Sequence, residues 1–144
     1  MNDRFKFRAW YNPGYREPIM LYDVEQTYDD MFGEPESIPS DSFGSVLGDK
    51  DFVVMQSTGL HDKNRKLIYE GDIVDIWKMA GNIHKRMVVK WYQPQCSFRL
   101  FDLSAMGATP QKMVDKRSLG AVTTIEVIGN IYENKELLEE YEDE

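Results

Sequence analysis

Few residues in this chain carry reactive chemistry. Its two histidines, His61 and His84, and its single cysteine, Cys96, are the whole stock of soft metal ligands, and no zinc-type spacing joins them. Cys96 follows Gln93-Pro94-Gln95 with no histidine beside it, so it reads as a small buried or half-buried hydrophobe before it reads as a nucleophile. Asp62-x-Asn64-x-Lys66 opens like a calcium loop, but Lys66 stands where a third oxygen ligand belongs. Glu70 and Asp72 offer paired carboxylates for acid–base work. The simpler reading is a turn, in which Gly71 takes positive φ and the short Asp72 accepts local backbone hydrogens. Asp23, Glu25, Asp29 and Asp30 read as a solvated loop. Gly107 and Gly120 lack the pattern of a phosphate-cradling loop. These residues predict a non-enzyme with no metal and no cofactor. A hydrolase is the remote alternative, requiring Glu70 or Asp72 to meet His61 or His84.

Nucleic acid is the stronger alternative. Basic residues cluster as Lys6 and Arg8 with Trp10, as Lys85, Arg86 and Lys90 with Trp91 and Tyr92, and as Lys112, Lys116 and Arg117. Cations that neutralise phosphates beside rings that stack on unpaired bases are what a small β-barrel uses to bind single strands. Lys85, Arg86, Lys90 and Trp91 are the candidate residues. Alternating charge is also how exposed strands stay soluble.

The elements that would position these groups are mostly short strands. KFRAW alternates, with Phe5, Phe7 and Ala9 on one face and Lys6, Arg8 and Trp10 on the other, and the Pro13-Gly14 turn leads to IMLYDV, a predicted hairpin partner. Residues 25–50 gather Gly, Pro, Ser and acids without a period and read as a long loop with at most one short helical or strand piece. DFVVMQ, LIYE, DIVDIW, RMVVKWY, SFRLFDL and TTIEVIGNIY follow as strands, and KELLEEY at the acidic end is the one convincing helix, with Asn134 as its N-cap. Gly81-Asn82 marks a connection. The pattern predicts a mainly β chain of small barrels or rolls, divided into an N-terminal β unit (1–56), a barrel unit (57–135) and an acidic tail (136–144).

Three segments together resemble the YopX-like family of phage and prophage proteins. They are Lys6-Phe7-Arg8-Ala9-Trp10; Val54 to Leu60 with Asp62-Lys63-Asn64 and Ile68 to Val74; and Val127 to Asn134. The residues that carry the pattern most strongly are Gly59, Tyr69, Glu70, Gly71, Asp72, Gly129 and Asn130, all expected to serve the architecture. The resemblance implies an SH3-like barrel or roll, an origin in bacteriophage or integrated prophage, and no established activity or catalytic residues. Two positions depart from the family pattern: Arg65 stands where a Gly usually follows Asn64, and Lys135 where a Pro often follows Glu-Asn. A non-Gly residue would be strained if that turn position keeps positive φ.

The net charge is −8, and the last twelve of the 144 residues hold seven acids and one lysine, so the body is nearly neutral. No apolar run approaches the roughly 18 residues that a membrane span needs. The opening MNDRFKFRAW has no secretory pattern, and one cysteine forms no internal disulfide, so a bacterial host's cytoplasm is the expected location. The preferred reading is a non-enzymatic accessory protein acting by association, as a homo-oligomer or with a protein partner.

Overall fold

A computed structural model describes residues 3–25, 43–78, 83–102, 111–112 and 123–142. The acidic stretch from residue 26 to 42, the Gly81-Asn82 connection, Lys116 and Arg117 lie outside the described residues. The chain divides into two compact units, Met1–Ser57 and Thr58–Glu144.

In the first unit a short 3-10 turn, Asp3–Phe5, precedes strand β1 (Phe7–Tyr11). β1 pairs antiparallel with β2 (Ile19–Tyr22) across the Pro13-Gly14 turn, as the sequence predicts, and on its other side with the start of β3 (Phe52–His61). A six-residue helix, α1 (Phe43–Gly48), is the short helical piece allowed for in the long loop. Alternation sends Phe7, Ala9 and Tyr11 to one face, where they meet Leu21, Val24, Phe43, Val46, Phe52 and Val54. Rings fill this small core: Tyr11 stacks on Phe52 at 4.6 Å, and Phe7 meets Phe43 at 4.9 Å. Two expectations change here. Phe5 belongs to the 3-10 turn and is exposed, so it does not continue the apolar face. Arg8 is buried between its cross-strand neighbours Met55 and Tyr22, with its guanidinium 6.0 Å from the Tyr22 ring, so it is not an outward-facing cation.

The second unit begins inside β3, which continues to His61, beyond the DFVVMQ segment read as a strand; Gly59 sits within it at φ 83°. The end of β3 lies beside β4 (Leu67–Tyr69). A five-stranded antiparallel sheet then forms in the order β8-β7-β6-β5-β9, from β5 (Asp72–Lys78), β6 (Ile83–Tyr92), β7 (Ser97–Asp102), β8 (Gln111–Lys112) and β9 (Thr123–Asn130). It curls into a half-barrel. Its inner face carries Val74, Ile76, Met87, Val89 and Leu100, closed by Ile68 with Leu60, Phe98, Ile125 and Val127. These β-branched and long apolar residues recur at every second position, which is why the strands form and why one face is dry. Helix α2 (Lys135–Glu142) ends the described chain. No described helix is long and apolar enough to cross a membrane.

Candidate functional site

The residues that the sequence marks out are consumed by the backbone. In the turn before β5, Gly71 takes φ 89°, a conformation a side chain would strain, and its N–H bonds to Val89 while its carbonyl receives Ile131. Asp72 is buried, with its Oδ2 accepting the Tyr69 N–H at 2.8 Å. Asp62, also buried, accepts the N–H groups of Asn64 and Lys66 on one oxygen and of Val127 on the other, all within 2.9 Å. The carboxylate that opens the calcium-like pattern therefore pins the β3–β4 turn against β9. Lys63 N–H adds a bond to the Ile125 carbonyl.

The closing motif works the same way. Asn130 Oδ1 accepts the N–H groups of Tyr132 and Glu133, and its Nδ2 donates to Glu133. Asn134 Oδ1 accepts the Asn130 N–H at 3.1 Å, so this side chain reaches back over Gly129 and does not cap α2 as the sequence suggested; its carbonyl takes the Leu137 N–H instead. A Cβ on Gly129 would lie 2.5 Å from Asn134 Oδ1. The glycine is required by that contact.

Among the described residues, a concentrated group of polar and aromatic side chains lies on the outer face of the five-stranded sheet. β5 and β6 register Asp75 against Arg86 and Trp77 against His84, and β9 sets Glu126 beside Asp75. Arg86 Nε donates to Asp75 Oδ1 at 3.1 Å, and His84 Nε2 lies 3.4 Å from Asp75 Oδ2. Arg86 also reaches the Leu137 carbonyl, which ties α2 to this face. Trp77 stacks on His84 at 4.9 Å, and the Lys63 ammonium sits 5.1 Å from the Trp77 ring and 3.7 Å from Glu126. Asn64 completes the group with a hydrogen bond to Glu126.

A histidine beside a carboxylate is half of a nucleophile-activating arrangement. The cysteine that would complete it follows the far end of β6, on the order of 30 Å away at the rise of an extended strand. Cys96 itself is exposed, in the left-handed region at φ 47°, and so is not the small buried hydrophobe expected. Asp72 and His84 stand near opposite ends of the β5–β6 ladder, and the Asp72 carboxylate is held by the Tyr69 amide, so the hydrolytic combination of those two is not assembled. Among the described residues no group of three or more His, Cys, Asp or Glu could hold a metal ion.

The four residues named for nucleic acid divide between two faces. Lys85 and Trp91 fall on the same face of β6 as the inward Met87 and Val89, and Trp91 meets Phe98 edge to face at 5.1 Å. Arg86 and Lys90 face outward, and Arg86 is committed to Asp75. Sequence reasoning missed Trp77, Lys63 and Glu126; the signal was in the alternation of DIVDIW, which places Asp75 and Trp77 on the face opposite Val74 and Ile76.

The fold and its turn-building polar residues define an all-antiparallel β protein of two units with a terminal helix. The model of the YopX protein family matches residues 6–139, and the chain belongs to that family. No curated protein matches the chain. Protein EF1440 from Enterococcus faecalis is similar in structure, with 28% identity, a TM-score of 0.55, and 92% of this chain and 96% of that one covered. Protein yopX from Bacillus subtilis shares the fold at 20% identity and a TM-score of 0.51, covering 95% and 98% of the two chains.

Proposed function

We propose that this is a non-enzymatic accessory protein of a phage or prophage, acting in the bacterial cytoplasm by association with itself or with a host or phage protein. The observation that carries this reading is where exposed apolar side chains fall. Of the seven large exposed hydrophobics among the described residues, Phe5, Tyr15, Ile19, Tyr22, Leu47 and Val53 belong to Met1–Ser57, and Trp91 alone to the second unit. Tyr15 is 77% exposed at the hairpin turn, and Ile19 and Tyr22 bound β2, a strand at the edge of its sheet. An apolar hairpin with an edge strand is suited to strand addition or to apolar docking. The polar motif residues, by contrast, are spent on backbone groups. The curled second sheet supports an SH3-like roll as the platform.

Size exclusion with light scattering tests this, with the wild type expected as an oligomer or as a stable complex recovered from host lysate. Ile19→Lys is expected to abolish whichever assembly forms while leaving the circular dichroism unchanged. A strict monomer that captures nothing overturns the reading.

A further inference from the structure

The outer face of β6 and β7 carries like charges side by side, in a row whose backbone register extends to β8. Lys90 is registered directly opposite Arg99, and Arg99 directly opposite Lys112. At a strand spacing of about 4.8 Å, these three positions form a line across three strands. Their neighbours Val89 and Leu100 point into the core, so Lys90 and Arg99 point away from it. Like charges directly opposite one another destabilise a strand pair unless a counter-charge is present. Among the described residues no carboxylate pairs with either Lys90 or Arg99. The Lys90 ammonium lies 5.5 Å from the Phe101 ring, and the Arg99 guanidinium is held by two neutral groups, Ser97 Oγ and Gln95 Oε1. Arg86, nearer the other end of β6, is neutralised by Asp75; Lys90 and Arg99 have no such partner among the described residues.

Aromatic side chains accompany the row on the same face. Tyr92 stands two residues beyond Lys90, Phe101 two beyond Arg99, and their rings meet edge to face at 6.2 Å. Uncompensated cations in a line beside rings are the two components by which sheet faces hold unpaired nucleic acid, phosphates on the cations and bases on the rings. We propose that this face binds single-stranded nucleic acid, with phosphates on Lys90 and Arg99 and a base against Tyr92 and Phe101. The site goes beyond the association reading and is independent of it. It keeps Lys90 from the residues named in the sequence, and replaces Lys85, Arg86 and Trp91 with Arg99, Tyr92 and Phe101.

The test is fluorescence anisotropy of a labelled oligothymidylate titrated with the full chain over a range of salt concentrations. Saturable binding is expected, with a salt slope of about −1.4, since each of two contacts to a single strand contributes about −0.7. Lys90→Gln and Arg99→Gln are each expected to weaken binding and flatten that slope by about 0.7. Tyr92→Leu is expected to weaken binding roughly five- to a hundredfold, the range for loss of one stacked base, without changing the slope. Lys63→Gln, a cation already paired with Glu126, is expected to change neither. Lys90 is exposed, so its variant keeps the test decisive should Tyr92→Leu fail to fold. Absence of saturable binding, equal affinity for duplex DNA, polyglutamate or inorganic polyphosphate, or an equal loss with Lys63→Gln would each overturn the proposal.

Discussion

Arg65 occupies its turn in the left-handed region, at φ 67°. A non-glycine residue in the left-handed region costs roughly 1–2 kcal/mol, while glycine costs part of that back through the unfolded chain's freedom. Arg65→Gly is therefore expected to stabilise the protein by about 0.5–1 kcal/mol, seen as a higher urea midpoint at unchanged slope. Gly129→Ala acts in the opposite sense, because the new methyl collides with Asn134 and displaces the acceptor of the Asn130 N–H. A loss of about 1–3 kcal/mol is expected, and Asn134→Gly in the same chain should recover part of the clash while leaving that N–H without its acceptor. Tyr11 gives a pH dependence. Its hydrogen bond to the Tyr15 hydroxyl, and then its burial, push its phenol from 10.0 up to about 12. A raised phenol pKa favours the protonated folded form, so the stability it contributes is complete below pH 10.0 and is lost as pH rises toward about 12. Alkaline unfolding followed by circular dichroism should show Tyr15→Phe losing less stability than the wild type across that window.

At the scale of elements, one carboxylate holds a turn to a strand. Asp62 accepts three backbone N–H groups, two in its own loop and one from β9. Asp62→Ala strands these donors and is expected to cost about 3 kcal/mol, with faster amide exchange at Val127 as the local signature, while Asp62→Asn, which keeps one acceptor oxygen, should cost less. Much of this was legible in the chain. Every strand from DFVVMQ onward except the two-residue β8 came from alternation and turn residues, and Glu70-Gly71-Asp72 was readable as a turn because only a small set of residues tolerates that geometry. Other features were hidden because they depend on register, which local sequence does not encode. Arg8 becomes buried only when Met55 and Tyr22 flank it, and Lys90, Arg99 and Lys112 align only once three strands are paired. The continuation of β3 to His61 was missed because Thr58 and Gly59 look like a break, whereas Thr58 Oγ1 bonds to the Ile68 carbonyl and keeps the segment extended.

For the whole molecule, charge is the property that most depends on distribution. The chain has a net charge of −8 and a pI near 4.8, and most of the excess sits in its final residues. Colloidal repulsion vanishes near the pI, so light scattering should show a solubility minimum near pH 4.8, and removing residues 136–144 should move that minimum upward. The near-neutral remainder is what allows a local basic row to coexist with an acidic total, since screening confines each patch to about 10 Å at ordinary ionic strength. Cys96 also follows from the whole chain, being its one thiol and exposed at the tip of the β6–β7 hairpin. A maleimide fluorophore or spin label would therefore attach at a single defined point, three residues from Arg99, and turn occupancy of that hairpin into an optical or magnetic signal in the otherwise unaltered protein.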